Sequence, residues 1–307
     1  MAIKKTLLVI VGPTAVGKTD FSIALAKRYK TAIVSADSRQ FFREMNIGTA
    51  KPGASELREV KHYFINNLSI HDTYNIADFE KEAIDLVTRY FLKNDVLILT
   101  GGSGLYIKAV CEGIDNIPGV DPGIRIRLNS LLQEKGLDIL VEKLKEHDPE
   151  YFQKVDLNNP QRVIRALEVC LGTGKPYSGF LKGRKQDRNF QTIKIGLNLS
   201  RELLYDRINT RMDQMISDGL FEEAKELYPF KEGNALQTVG YKEIFDYMDG
   251  KYDKAEAIRL LKRNSRRYAK RQLTWFTRDP DIKWFSPGEP DKVAAYLSSK
   301  MRATASS

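Results

Sequence analysis

The sequence predicts an α/β protein whose core is a doubly wound parallel sheet, divided in two by a helical insertion. Short apolar runs alternate with segments of helical periodicity over roughly the first hundred residues, which is the pattern of a parallel sheet covered by helices. Between 115 and 190 the apolar residues recur at helical spacing and no buried strand is indicated. A strand pattern then resumes, so the core is expected to be interrupted and later completed.

The predicted strands are short, apolar and rich in β-branched residues, as expected for strands buried on both faces. Before the insertion, strands are predicted over 6–11, 31–36 and 95–100, with helices over 18–29 and 77–91. After it, the pattern predicts a strand over 192–199, helices over 201–228 and 254–277, and a short strand over 282–285. The predicted domains are therefore 1–114 and 191–307 for the two parts of the core and 115–190 for the insertion.

Composition favours a folded protein with an anionic partner. Lysine and arginine number 49 against 40 acids, a net charge of +9 that attracts polyanions such as nucleic acid. Cys111 and Cys170 are far apart, and the three histidines share no ligand spacing, which argues against a disulfide framework and a structural zinc. The apolar run near the start is too short for a signal peptide or a membrane span. We expect a cytoplasmic protein with no membrane association.

The strongest motif is a glycine-rich loop between the first predicted strand and helix. It fits G-x-x-x-x-G-K-[ST], the P-loop pattern, in which backbone N–H groups and a helix N-terminus face a diphosphate. The predicted diphosphate-binding residues are Gly12, Pro13, Thr14, Ala15, Val16, Gly17, Lys18 and Thr19. Lys18 adds positive charge and Thr19 can ligate Mg²⁺. The predicted fold is thus a P-loop core, although the loop alone does not distinguish a nucleotide from another diphosphate ester.

Two further loops are predicted at the same edge of the sheet, where such folds bind ligands. Asp37 follows the second strand and could remove a proton from an acceptor, or could merely cap the next segment. The third strand runs into Thr100 and a second glycine loop, where many P-loop hydrolases carry a Mg²⁺-binding aspartate. The missing acid argues against an ATPase without excluding a kinase. Ser103 in this loop could contact a substrate.

The segment 259–278 carries eight basic residues and no acid. Ile258, Leu261, Tyr268 and Trp275 are predicted near one face of its helix, leaving most of the bases on the others. Such a segment is either a solvated face or a contact for a phosphate backbone, and the sequence leaves both open. Arg211, on a long predicted helix, is by spacing a surface residue.

Six motifs occur in order along nearly the whole chain, and together they resemble the bacterial tRNA dimethylallyltransferases, also called tRNA isopentenyltransferases. They are Gly-Pro-Thr-Ala-x-Gly-Lys-Thr at 12–19, Asp-Ser-Arg-Gln at 37–40, Gly-Gly-Ser-Gly-Leu-Tyr at 101–106, Asn-Pro-Gln-Arg-Val-Ile-Arg-Ala-Leu-Glu-Val at 159–169, Val-Gly-Tyr-Lys-Glu at 239–243 and Arg-Tyr-Ala-Lys-Arg-Gln-x-Thr-Trp-Phe at 267–276. The P-loop alone would have left the family open.

The resemblance implies transfer of a dimethylallyl group from dimethylallyl diphosphate to N6 of the adenosine 3′ of the anticodon, in tRNAs that read codons starting with U. It implies Asp37 as general base, Arg211 as a catalytic contact to the diphosphate, Mg²⁺ held through Thr19, and an insertion that grips the anticodon arm. The target base is expected to be flipped out of its stack. Implied tRNA contacts are Asp37, Ser38, Arg39, Gln40, Ser103 (usually threonine in the family), Arg125, Asn159, Pro160, Gln161, Arg162 and Val163.

Three alternatives to this function remain open. A P-loop kinase of a nucleoside or small metabolite would use ATP, with Asp37 as base. An adenylate isopentenyltransferase would prenylate a free nucleotide and would not need a basic helical insertion. A module that only binds RNA is disfavoured by the intact Lys18, Thr19 and Asp37. The patterns do not fix the oligomeric state, and a monomer is the working expectation.

Overall fold

The computed structural model describes residues 4–183 and 185–303. By their internal contacts these residues form two compact units, one made of 4–112 with 187–303 and the other of 113–183 with 185–186. The second unit ends at 186, whereas the insertion predicted from the sequence runs over 115–190. Arg188 belongs to the first unit because its guanidinium donates to Glu80 Oε1 at 2.7 Å and to the carbonyl of Ala109 at 2.7 Å.

Within the described residues the first unit contains one sheet of parallel strands, in the order β3-β2-β4-β1-β5-β6. The strands are β1 (Thr6–Val11), β2 (Ile33–Ser35), β3 (His62–Tyr63), β4 (Val96–Gly101), β5 (Gln191–Leu197) and β6 (Lys283–Phe285). β1 lies at the centre, and all of its side chains are buried. The carboxyl ends of β1, β2 and β4 therefore meet at one edge of the sheet, as the sequence predicted.

Helices make up most of the remaining regular structure. In chain order they are α1 (Lys18–Tyr29), α2 (Ala54–Glu59), α3 (Ile76–Phe91), α4 (Gly104–Glu112), α5 (Pro122–Lys135), α6 (Leu137–His147), α7 (Pro149–Phe152), α8 (Pro160–Thr173), α9 (Arg201–Ser217), α10 (Leu220–Leu227), α11 (Lys242–Met248), α12 (Lys254–Phe276) and α13 (Pro290–Ala303), with 3₁₀ turns at Ile47–Thr49, Tyr177–Phe180 and Tyr228–Phe230. Of the described part of the chain, no helix is both long and apolar enough to cross a bilayer.

Alternate residues of β1 serve the two faces of the sheet. Leu7 and Val9 pack with α3, whereas Leu8 and Ile10 pack with α1. A third apolar cluster joins α9, α10, α11 and α12 beside the sheet. The second unit has its own core, in which α5, α6 and α8 bring together apolar residues at helical spacing.

The secondary structure differs from the sequence predictions in three respects. The helix predicted over 201–228 is two helices, because Gly219 adopts φ +102° and ends the first. The buried face of α12 is formed by small and polar residues as well as apolar ones, and Trp275, predicted near one face with Leu261, is 39% exposed. The strand β3 and the helices α2, α4, α11 and α13 were not predicted; β3 is only two residues long, too short for a periodic signal.

Candidate active site

The loop after β1 has the backbone of an anion-binding site. Gly12 and Gly17 adopt φ values of +150° and +102°, which favour glycine, and Ala15 is also left-handed at +64°. A Cβ on Gly12 would lie 2.5 Å from the carbonyl oxygen of Leu197 on β5, so a larger residue would push the loop off the sheet. The loop runs directly into the N-terminus of α1 at Lys18, where unpaired N–H groups favour an anion.

Lys18 lies under this loop. Its Nζ donates to the carbonyls of Gly12 at 2.9 Å and Pro13 at 2.8 Å. Burial and the positive charge of Arg211 lower the pKa of Lys18 to about 7, although Asp37 acts in the opposite direction. The negative charge of a diphosphate bound in the loop would stabilise the ammonium form of Lys18. It would therefore raise the pKa of Lys18 again.

A pH dependence of ligand binding follows. Near pH 7 the free protein holds Lys18 partly deprotonated, so binding of a diphosphate above that pH must be accompanied by proton uptake. We expect the association constant for inorganic diphosphate to fall above pH 7 by up to about one log unit per pH unit. Calorimetric titrations between about pH 6 and 9 would measure it. Lys18→Met should remove this slope and leave only the ligand's own ionisation; equal slopes in both proteins would contradict the assignment.

Asp37 lies at the end of β2, beside the loop. Its Oδ1 accepts the N–H of Arg39 at 3.0 Å, so the capping role considered from the sequence is present. The structure records no partner for Oδ2 among the residues it describes, and Asp37 lines the same cavity as the P-loop. Capping and proton transfer are therefore compatible, because they use different oxygens of one carboxylate.

The other residues of this edge are fixed by short polar contacts. Ser103 Oγ accepts the N–H of Ser38 at 3.2 Å and donates to the Ser38 hydroxyl at 3.3 Å. Arg39 turns away and donates to the carbonyl of Asn234 at 2.9 Å. Gln40 lines the cavity, and its amide nitrogen donates to two carbonyls of the neighbouring loop. Of Ser38, Arg39, Gln40 and Ser103, it is Gln40 that lines the same cavity as Lys18.

Thr100 occupies the position at which many P-loop hydrolases carry an acid. Its hydroxyl donates to the carbonyl of Ile10 at 3.2 Å and accepts from Ser22 Oγ at 3.0 Å. This pair of hydroxyls joins β4 to β1 and α1 under the P-loop. A threonine that is engaged in this way supplies no charge for a metal ion.

Arg211 is not the surface residue that its spacing indicated. It lies on the face of α9 that lines the cavity, and its guanidinium contacts the Thr14 hydroxyl of the P-loop. Burial lowers the pKa of Arg211 while Asp37 opposes the shift, and a guanidinium remains charged under these conditions. Arg207, one turn earlier, donates to the carbonyl of Val16 at 3.2 Å. Two cations of α9 thus face the phosphate loop.

Gln272 is a residue whose role the sequence did not reveal. From the buried face of α12, its Oε1 accepts the N–H of Thr14 at 2.8 Å and its Nε2 donates to the carbonyl of Gly102 at 3.0 Å. One side chain therefore joins the P-loop to the glycine loop after β4. Its position in the sixth motif could have indicated a role. The basic residues around it drew attention to the charge of that segment instead.

These groups surround a cavity of about 650 Å³. Of the predicted site residues, its lining includes Thr14, Ala15, Gly17, Lys18, Thr19, Asp37, Gln40 and Arg211. The P-loop, Asp37 and Arg211 therefore all line one cavity. A ligand with a diphosphate at one end could therefore present its other end to a carboxylate.

The cavity offers few donors to a magnesium ion. Thr19 has a hydroxyl in the first turn of α1, and it lines the cavity. Within 4–183 and 185–303, no group of three or more acidic, histidine or cysteine side chains could hold a metal ion. Mg²⁺ commonly takes few protein ligands and completes its shell with substrate phosphates and water. These residues could therefore hold Mg²⁺ only if a bound diphosphate supplied further ligands to it.

The remaining predicted tRNA contacts lie in the second unit. Arg125 on α5 donates to Glu168 Oε2 at 3.0 Å, and Asn159 caps α8 by accepting the N–H of Arg162 at 3.2 Å. Pro160 is the first residue of α8, and the side chains of Gln161 and Arg162 are exposed. Val163 is fully buried, so its side chain is not available to RNA; a contact there would have to come from the backbone.

The sheet order, the P-loop after the central strand and the charged cavity define a P-loop protein of the α/β class. The family model described as IPP transferase matches residues 40–279. The chain belongs to this family, whose curated relatives are named tRNA dimethylallyltransferases.

Two such relatives illustrate the similarity. One from Christiangramia forsetii is 55% identical over 296 residues, which is 96% of this chain and 98% of the relative. One from Cytophaga hutchinsonii is 52% identical over 300 residues, or 98% of this chain and 99% of the relative.

Solved structures agree with the fold. The full-length tRNA isopentenylpyrophosphate transferase from Bacillus halodurans is 39% identical, with a TM-score of 0.72 over 99% of each chain. A eukaryotic dimethylallyltransferase described as acting on tRNA is 25% identical, with a TM-score of 0.76 over 96% of this chain and 77% of its own. The predicted fold class and family are confirmed.

Proposed function

We propose that this chain transfers the dimethylallyl group of dimethylallyl diphosphate to N6 of the adenosine 3′ of the anticodon in tRNA. The observation that carries the proposal is the single cavity that the P-loop, Asp37 and Arg211 all line. Membership of the IPP transferase family supports the prenyl donor, and the names of the relatives support tRNA as the acceptor. Because the acceptor is tRNA, the proposed compartment is the cytoplasm.

In the proposed reaction the bond between C1 of the allyl group and the bridging oxygen breaks, and diphosphate leaves. Negative charge builds on that oxygen, where the P-loop N–H groups, Lys18 and Arg211 would stabilise it. Mg²⁺, when bound with Thr19, would supply further charge neutralisation. The amino group of adenine forms the new bond from N6 to C1, and the proton that it loses passes to Asp37.

The acceptor base has to leave its stack to reach this cavity. Extrusion of a base costs a few kcal/mol, which contacts in the site have to offset. Ser38, Gln40 and Ser103 lie around Asp37 at the edge of the sheet and are proposed to contact the extruded nucleotide. Arg125 and the exposed first turn of α8 are proposed to hold the anticodon arm.

The decisive experiment is a mass measurement of a tRNA digest. Unmodified tRNA incubated with the protein, dimethylallyl diphosphate and Mg²⁺ should yield isopentenylated adenosine. Replacement of the tRNA by AMP tests the adenylate isopentenyltransferase alternative, and ATP without a prenyl donor tests the kinase. Consumption of ATP with phosphorylated product and no prenylated base would overturn the proposal.

The basic helix α12 gives a separate prediction about tRNA affinity. Lys262 pairs with Asp213 at 2.5 Å and Arg266 donates to Asn209 at 2.6 Å, so both are engaged in packing against α9. Arg267 and Lys270 are exposed instead. Arg267→Ala with Lys270→Ala should weaken tRNA binding and reduce the slope of log K against log[salt] by about one for each phosphate interaction that the substitutions remove.

The matched control for this experiment is Lys81→Ala with Lys93→Ala. Both residues are exposed and lie on or next to α3, so the same charge is removed from another surface. Binding measured at several salt concentrations should separate the two pairs. If both double variants change the slope equally, the effect is one of net charge and α12 is an ordinary solvated face.

A further inference from the structure

A clamp formed by Glu223 and Tyr241 holds one wall of the cavity. Glu223, on α10, accepts three successive backbone N–H groups, from Asn46 at 2.9 Å, Ile47 at 2.8 Å and Gly48 at 2.9 Å. The Tyr241 hydroxyl also donates to this carboxylate, at 2.7 Å. Four donors on one carboxylate fix both the carboxylate and the backbone that it caps.

Tyr241 reinforces the same backbone by packing. Its side chain is fully buried, and a Cβ on Gly48 would lie 2.5 Å from its ring. The phenol ring therefore lies against the bare backbone of the 3₁₀ turn. The fifth family motif, Val-Gly-Tyr-Lys-Glu, is centred on this tyrosine. Glu223 lies outside all six motifs.

The clamped segment leads directly to the cavity. Thr49, the last residue of the 3₁₀ turn, lines the cavity together with Ala50 and Lys51, which follow it. The carbonyls of Thr49 and Ala50 each accept from Gln40 Nε2 at 3.3 Å. Gln40 in turn accepts from Ser35 Oγ at 3.1 Å.

Gln40 connects this wall to the acceptor side of the site. Its backbone N–H donates to the carbonyl of Asp37 at 3.1 Å, so the two residues share one tight turn. A shift of the 49–50 carbonyls would therefore be passed to Gln40 and to the turn that carries Asp37. The P-loop is held instead by Gln272 and by Arg211 on α9, and neither of these contacts passes through 46–50 or Gln40.

We propose that Glu223, with Tyr241, is a positioning residue that sets the place of Gln40 and Asp37 relative to the P-loop, and so governs the transfer step. This inference rests on the proposed function and adds a residue to it. Glu223 touches no reacting atom; it acts through the backbone of 46–50. Its loss should therefore lower turnover without weakening the binding of diphosphate.

The test compares Glu223→Gln with Tyr241→Phe. Glu223→Gln keeps the side-chain volume but replaces one acceptor oxygen with an NH₂ group. This group is a donor, so it cannot accept from the backbone N–H groups that it would face. We expect kcat for prenyl transfer to fall at least about tenfold, since small displacements distant from the chemistry can cost that much. Tyr241→Phe keeps the ring and the three backbone contacts, so its loss should be smaller.

Three further readouts distinguish positioning from general destabilisation. The Kd values for inorganic diphosphate and for tRNA should stay within about twofold of wild type, because the P-loop and the exposed basic residues are untouched. The thermal midpoint of Glu223→Gln shows whether the substitution destabilises the fold as a whole. Glu222→Gln, at the exposed neighbouring position, is the matched control and should behave as wild type throughout.

The outcomes separate this inference from the function on which it rests. Wild-type turnover in Glu223→Gln, or a parallel loss of diphosphate binding and turnover, would overturn the positioning role and leave the proposed function intact. Absence of prenyl transfer by the wild-type protein would overturn the proposed function, and this inference with it. A fall in kcat alone, larger than in Tyr241→Phe, would support both.

Discussion

Asp37→Asn is expected to lower kcat for prenyl transfer by about 10²–10⁴-fold, the range in which a general base contributes. An amide cannot take up the proton that N6 loses, but its Oδ1 can still accept the N–H of Arg39. The local turn should therefore remain, and tRNA and diphosphate should bind with nearly unchanged Kd values. Single-turnover prenylation followed by nucleoside analysis measures the effect.

The control for Asp37→Asn is Asp85→Asn, a loss of the same charge at an exposed position of α3. It should prenylate tRNA at the wild-type rate. If Asp37→Asn weakens tRNA binding as much as it slows turnover, the carboxylate is a binding contact and the general base has to be sought elsewhere.

Lys18→Met is expected to be the second large effect, with a loss of about 10²–10³-fold in kcat/KM for dimethylallyl diphosphate. The substitution keeps most of the side-chain length and removes the charge beneath the loop. Both the bound diphosphate and the charge that develops on it as it leaves would lose the ammonium beneath the loop. The Kd for tRNA should change little, because Lys18 lies under the P-loop between Gly12 and Pro13.

Lys27→Met tests whether the loss of any lysine of α1 lowers kcat/KM for dimethylallyl diphosphate. Lys27 lies near the other end of the same helix and pairs with Glu59 at the surface. Its replacement should leave kcat/KM unchanged. Comparable losses in the two variants would indicate that α1 as a whole, and not the ammonium in the loop, is responsible.

Local sequence was sufficient for the central part of the fold. The helix predicted over 18–29 is α1 (Lys18–Tyr29), and the first strand predicted over 6–11 is β1 (Thr6–Val11). The P-loop motif joins them, so the place of this loop at the sheet edge followed directly. Asp37 could be placed beside it because a residue after β2 must lie at the edge where the parallel strands end.

Only the tertiary structure brought the distant parts of the site together. Arg211 contacts Thr14 across 197 residues of chain, and Gln272 bonds to Thr14 across 258. Periodicity shows which face of a helix is apolar, but it does not show which polar side chain of that helix meets a loop formed much earlier in the chain. Spacing therefore placed Arg211 on the surface and left Gln272 and Glu223 without a role.

The sequence by itself determined that a P-loop motif and a carboxylate share one edge of a parallel sheet. Both facts depend on short-range order, namely the alternation of strand and helix and the glycines that a tight loop requires. The tertiary structure decided which cations face that loop and which backbone walls the cavity. Those contacts depend on how α9, α10 and α12 pack beside the sheet, and packing is settled by shape and burial across the whole unit.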